Sequence, residues 1–155
     1  MKTNSPKSTF AIYIGNRGFF PASLLMAARE ELAKVFGKLG YDIIMLDPAA
    51  TRHGAVETVA EGRIYAQWLK QNQGKFDGVI LSLPNFGDEN GAVAALKDAG
   101  VPILIQAYPD ELDKMAPELR RDAFCGKMSI MDVFVQNDIP FTALKPHTVA
   151  PTADA

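Results

Sequence analysis

Four stretches of this chain carry near-continuous apolar runs of strand length, and each is followed by a segment of helical character. The runs are "FAIYIG" (10–15), "YDIIMLDP" (41–48), "FDGVILSLP" (76–84) and "VPILIQAY" (101–108). Burial of both faces in a parallel sheet produces this pattern, whereas a half-solvated strand alternates apolar and polar residues. A fifth strand is predicted at "PFTALK" (140–145). Between the strands, helices are predicted over 21–39, 56–71, 92–99 and 127–136. In the first, Leu25, Ala28, Leu32, Val35 and Leu39 share one face, Glu30 and Lys34 pair on the other, and Gly40 marks the stop. In the second, Val56, Ala60, Ile64 and Trp68 are the predicted buried face. Strand and helix alternating about five times gives an α/β fold, a doubly wound, flavodoxin-like or Rossmann-like sheet of five parallel strands in the order 2-1-3-4-5. Helices cover both faces, and crossovers are right-handed.

A chain of 155 residues suits one domain with a real core. The expected organisation is a loose N-terminus over 1–8, one α/β domain over 9–147, and a linker over 148–155. In that last segment, "PHTVAPTADA" ends in the opening of a further helix with Thr152 as its cap, so the chain reads as a piece of a longer protein. The formal net charge is −2 and there is no Lys/Arg run, which argues against nucleic-acid or anionic-membrane partners. No apolar run approaches the ~20 residues that cross a bilayer. The opening "MKTNSPKSTF" lacks the apolar stretch of a secretory leader. The single cysteine, Cys125, allows no internal disulfide, fits a reducing cytoplasm, and is expected as a small buried hydrophobe.

In such sheets the ligand binds beyond the carboxyl ends of the strands, at the switch in strand order. The familiar chemistries of the fold are missing there. Gly15 and Gly18 give a G-x-x-G spacing, short of the dinucleotide fingerprint, and there is no G-x-x-x-x-G-K-[ST] loop. Pro84 and Asn85 stand where a receiver domain places its acidic phosphoacceptor. The loop after strand one lacks the Ser/Thr-rich backbone nest of a flavin-phosphate site. The only histidines, His53 and His147, are far apart, and no nucleophile–base pair is visible. No catalytic residue and no metal ligand is therefore predicted in this chain.

The strand ends do carry groups that grip a polar ligand. Arg17 offers a forked donor, and Asn16, Asn85 and Gln106 each offer donor and acceptor. Phe19, Phe20, Phe86 and Tyr108 offer flat apolar faces, and Gly18 is counted with them as a substrate-binding position. For several of these a structural role stands beside the binding one. Phe19 and Phe20 can pack beneath the first helix, Asn85 can be a turn residue, and Arg17 can be a solvated loop charge.

Taken together, "GNRGFFPASLLMAAREEL", "FDGVILSLPNFGDENGAVAAL", "VPILIQAYPDELD" and "FCGKMSIMDVFVQNDIPFTALKPHT" resemble the N-terminal domain of the L-fucose isomerase/L-arabinose isomerase family, most closely its fucose-isomerase-like bacterial members. The resemblance runs in order over 9–155, carried by the succession of segments rather than by one motif. It implies a cytoplasmic homo-oligomer of longer chains that interconverts aldoses and ketoses through an enediol, with a divalent metal, usually manganese. The metal ligands belong to the family's central and C-terminal domains, and none matches a position here. The N-terminal domain is implied to cover a neighbouring subunit's active-site mouth, with substrate contacts that fall on Arg17 and its neighbours and on Asn85 and Phe86. The chain departs from the arabinose isomerases at "CGKMSI", where Gly126 and Ser129 stand near the places of a Gln and a His. That departure argues against arabinose specificity and leaves Lys127 and Ser129 without an assigned role. A second function class remains open, a free-standing sugar-binding or regulatory module resembling one lobe of a periplasmic-binding-protein-like sensor.

Overall fold

The computed structural model describes residues 7–152. Five parallel strands form one sheet in the order β2-β1-β3-β4-β5. They are β1 (Thr9–Ile14), β2 (Asp42–Met45), β3 (Gly78–Leu83), β4 (Ile103–Ala107) and β5 (Thr142–Ala143). The helices are α1 (Ser23–Leu39), α2 (Val59–Gln71), α3 (Glu89–Leu96) and α4 (Ala123–Gln136), with a short 3-10 turn at Arg52–Gly54. Every residue of β3, the middle strand, is buried, as its apolar run requires. The notional opening of a further helix after Thr152 lies outside the described residues.

The two faces are covered unequally. Tyr13, Leu81 and Ile105 point toward a core closed by Tyr65 and Leu69 of α2, Ala92 and Leu96 of α3, and Ile130 and Phe134 of α4. On the opposite face Ile12, Ile14 and Ile80 pack against Leu25 and Leu32 of α1. A shallow apolar groove beside α1, lined in part by Phe36, Tyr41, Ile80 and Leu104, runs toward β5.

Helix boundaries follow the caps. Gly40 ends α1 at φ 81°, with its N–H on the Gly37 and Phe36 carbonyls, a left-handed stop that glycine takes without strain. Leu25, Ala28 and Leu32 are buried as predicted, but Leu39 is exposed in the last turn. The predicted second helix starts three residues too early. Thr58 caps α2 by accepting the Glu61 N–H, and Val56 lies in extended chain bridged to Gly15. The buried face of α2 is Gly62, Tyr65 and Leu69, whereas Ala60 and Ile64 are exposed. Gly62 sets that rotation: a Cβ there would stand 2.4 Å from the Gly91 carbonyl oxygen, so α2 and α3 cross at a distance only a glycine permits. Asp88 starts α3 earlier than predicted by accepting the Gly91 N–H at 2.7 Å. Helix α4 likewise begins four residues before its predicted start, and β5 shortens to a pair of residues beside Leu104 and Ile105. Cys125, expected in the core, is exposed on α4.

Candidate functional site

The strand order changes direction between β1 and β3, and the loops leaving those strands meet there. Gly15 continues β1 by donating to the Ser82 carbonyl at 3.0 Å, and Asn16 donates from its backbone to Val56 O at 3.1 Å. A side chain at Gly15 would run into Leu83 at 2.6 Å, so glycine lets the two strand ends close up.

The side chains of Asn16 and Asn85, 69 residues apart, then bond directly. Asn85 Nδ2 donates to Asn16 Oδ1 at 2.7 Å and to the Pro21 carbonyl at 3.0 Å. Asn16 Nδ2 donates to Glu57 Oε1 at 2.6 Å, and the Asn16 carbonyl accepts the Asp88 N–H at 3.1 Å. Glu57 in turn pairs with Arg52 at 3.3 Å, and Arg52 also donates to the Gly18 carbonyl at 3.2 Å. Both asparagines are fully buried. This ladder staples the first loop to the third and to the segment before α2. Asn85 Oδ1 is left buried with no partner among the described residues.

An aromatic stack lies beside the ladder. Phe19 and Phe20 have ring centroids 4.6 Å apart, and Phe20 stacks on Phe86 at 6.0 Å with planes 16° apart. The guanidinium of Arg17 lies over the Phe86 ring, 4.3 Å from its centroid. Phe20 is buried, whereas Phe19 is 76% exposed, so the stack runs from solvent to core and the two phenylalanines divide their roles. Arg17 is part-exposed and forms an ion pair with Glu89, the first residue of α3. The other oxygen of Glu89 accepts the Ser129 hydroxyl from α4. Burial raises the Glu89 carboxyl. The hydrogen bonds from Ser129 and the backbone, together with the Arg17 charge, outweigh that and hold it below its ordinary value.

Seven of the nine predicted residues therefore come together: Asn16, Arg17, Gly18, Phe19, Phe20, Asn85 and Phe86. The other two are bonded in a different part of the strand-end surface. Gln106 Oε1 accepts from Ser82 Oγ, and its Nε2 donates to Val149 O, both at 2.6 Å. Both ends of this buried amide are thereby satisfied, and Gln106 ties the chain after β5 across the top of β4. Tyr108 donates its hydroxyl to Glu31 of α1 at 2.8 Å, with Arg121 over its ring at 4.9 Å. Burial, then Glu31, push that hydroxyl far above its ordinary pKa. Lys127 is wholly buried and donates to the carbonyls of Leu144 at 3.1 Å and His147 at 2.8 Å, and burial lowers its pKa.

Glu57, Glu89 and Arg52 escaped the sequence reading. A local signal existed only for Glu89, because "DENG" reads as an acidic helix start. Among the described residues no three His, Cys, Asp or Glu side chains gather where a metal ion could sit. No described helix is long and apolar enough to cross a membrane.

The family model described as "Fucose/sulfoquinovose isomerase, N-terminal domain" matches residues 11–155, all but the first ten residues of the chain. The chain belongs to this family. A search of curated proteins finds no match. As a fucose/sulfoquinovose isomerase N-terminal domain, the chain has its stapled loops and its arginine-capped stack at the carboxyl ends of the strands, where α/β sheets bind ligands.

Proposed function

We propose that this domain is the substrate-covering part of a metal-dependent aldose–ketose isomerase, not catalytic by itself. It caps the active-site mouth of a neighbouring subunit in a cytoplasmic homo-oligomer. The divalent metal, manganese or a similar ion, is held by another part of the polypeptide. The observation that carries this reading is the part-exposed Arg17 guanidinium lying on Phe86, at the end of a loop stapled by buried amides. One edge of that guanidinium is engaged by Glu89, and its other N–H groups make no hydrogen bond among the described residues. Fixed N–H donors beside an apolar ring suit a sugar, with hydroxyl acceptors on its edge and C–H groups on its face. Phe19, projecting into solvent, supplies a further apolar surface for the sugar or for the neighbouring subunit. In this reading Asn16, Asn85, Gly18 and Phe20 hold the loop, and Gln106 and Tyr108 hold the strand end beside it.

The test is Arg17→Ala in the isomerase polypeptide that carries this domain, assayed with L-fucose and with sulfoquinovose. A lost charged hydrogen bond to the sugar costs about 1.5–3 kcal/mol, or roughly one to two decades in kcat/KM, on top of the melting temperature lost with the Glu89 ion pair. Mixing Arg17→Ala chains with chains inactivated at the metal site should restore activity above either parent, because some sites then pair an intact metal centre with an intact lid. A falling melting temperature with unchanged kinetics refutes the role of Arg17. Impaired kinetics without rescue, once subunit exchange is verified, refutes action on the neighbour.

A further inference from the structure

We propose that Glu89, clamped by Ser129, is the positioning residue that fixes Arg17 in its ligand-facing orientation. The proposal rests on the reading of Arg17 given above and adds to it a residue that touches no sugar. Three elements converge on one carboxylate. Glu89 stands at the first position of α3, and its Oε2 accepts from Arg17 Nη2 of the β1–α1 loop. Its Oε1 accepts from Ser129 Oγ of α4. The Glu89 side chain is only 17% exposed, against 32% for Arg17, so the pair is sheltered on the carboxylate side and open on the guanidinium side. The acidic helix start also favours a carboxylate there.

A free arginine on a loop loses much rotamer freedom when it takes up a ligand. Here that freedom is already removed in two directions. The guanidinium carbon lies over the Phe86 ring, 4.3 Å from its centroid, and Glu89 holds Nη2. A guanidinium held over a ring and bonded through one nitrogen has little freedom left, with its remaining donors turned away from Glu89. Ser129 matters because a glutamate bonded only to Arg17 can swing with it, whereas one anchored to α4 cannot. α4 is itself fixed against the Phe86 loop, since a Cβ at Gly126 would stand 2.9 Å from Phe86 Cα. Serine at 129 thus has a role in this chain, where the resemblance left none.

The experiment is nitrogen-15 NMR of the arginine side chains in the 155-residue chain, with the Arg17 signals assigned by their absence from Arg17→Lys. In the wild type the Arg17 Nη protons should give resolved, slowly exchanging signals. In Glu89→Gln, which keeps the shape and removes the charge, those signals should merge or vanish while the backbone spectrum stays dispersed. Ser129→Ala should reproduce the loss in part, and Glu89→Asp should fail to restore it, because the shorter side chain cannot reach both partners. Resolved Arg17 signals in a folded Glu89→Gln chain overturn the proposal. Should Glu89→Gln unfold the chain, Ser129→Ala carries the test, and unchanged Arg17 signals there overturn it. The readout contains no sugar, so it separates the two readings. Loss of the signals together with a silent Arg17→Ala in the kinetic assay would leave Glu89 as the holder of Arg17 and refute only the lid.

Discussion

Gly126 of α4 should punish the smallest possible substitution, and Gly37 of α1 should reward the same one. A Cβ at Gly126 would lie 2.8 Å from Gly87 N and 2.9 Å from Phe86 Cα, inside the 3.4 Å at which ordinary contact begins. Both neighbours are backbone, so no side-chain rotation relieves the overlap, and α4 or the loop after β3 must move. Alanine brings about 0.5–1 kcal/mol of helix stability over glycine. Overpacking against a rigid neighbour costs about 1–3 kcal/mol. The overlap is two-sided and falls on main chain, so the upper part of that range applies. The net effect of Gly126→Ala is a loss of about 1–2 kcal/mol, or roughly 2–8 °C in Tm for a chain of this size. At Gly37 nothing lies within 4 Å of the added methyl, so only the helix gain remains and Tm should rise by roughly 1–4 °C. Urea melts of both variants against wild type check this, read as midpoint shifts at constant slope. The overlap also displaces the backbone of Phe86, so Gly126→Ala should disturb the Arg17 side-chain signals and Gly37→Ala should not. If Gly126→Ala stabilises as Gly37→Ala does, the close approach of α4 to the Phe86 loop is wrong.

The two adjacent phenylalanines should separate in the same melts. Phe20→Ala empties a buried site and should cost about 3–5 kcal/mol, whereas Phe19→Ala, at a ring 76% exposed, should stay within about 0.5 kcal/mol of wild type. Equal losses at both positions would show that the ring stack is not divided between core and solvent. Glu89 should give a pH signature. Its folded carboxyl lies below the ordinary 4.5, so the ionised form stabilises the fold above that pH and loses its contribution as pH falls through the folded value. The stability gap between wild type and Glu89→Gln should therefore be full at pH 7 and shrink on acidification below about 4.5, and a gap of constant size from pH 7 to pH 3 would refute the ion pair.

The sheet was legible because parallel strands buried on both faces leave continuous apolar runs, and here those runs alternate with helical segments as a doubly wound sheet requires. Strand order, helix count and the Gly40 stop followed from it. The rotation of α2 was not legible. Val56, Ala60, Ile64 and Trp68 make a plausible stripe, and only the approach of the Gly91 carbonyl, 29 positions away from Gly62, shows why Gly62, Tyr65 and Leu69 turn inward. A small residue carries no hydrophobic signal, so a face organised around one is invisible to periodicity. Cys125 failed for a related reason. Composition places free cysteines inside, but Ala123, Gly126, Lys127 and Ile130 had already taken the inward side of α4.

The candidate site divides along the same line. Residue type and strand-end position were enough to select seven residues that the fold gathers. They were not enough to separate the holders from the held, because an amide offers the same donor and acceptor to a sugar or to another amide. Asn16 meets Asn85, and Arg17 meets Glu89 72 residues away, through pairings that sequence spacing does not encode. The cost of the arrangement argues for its purpose. Two fully buried asparagines, one with an Oδ1 that has no partner among the described residues, forfeit about 1–3 kcal/mol that an apolar filling would keep. An apolar filling would also let the loops after β1 and β3 slide, since packing is not directional. Hydrogen bonds of 2.6–2.7 Å among Glu57, Asn16 and Asn85 permit one spacing only. That spacing sets where Arg17 and Phe86 meet, so the fold gives up stability at the strand ends in exchange for a fixed position of one guanidinium.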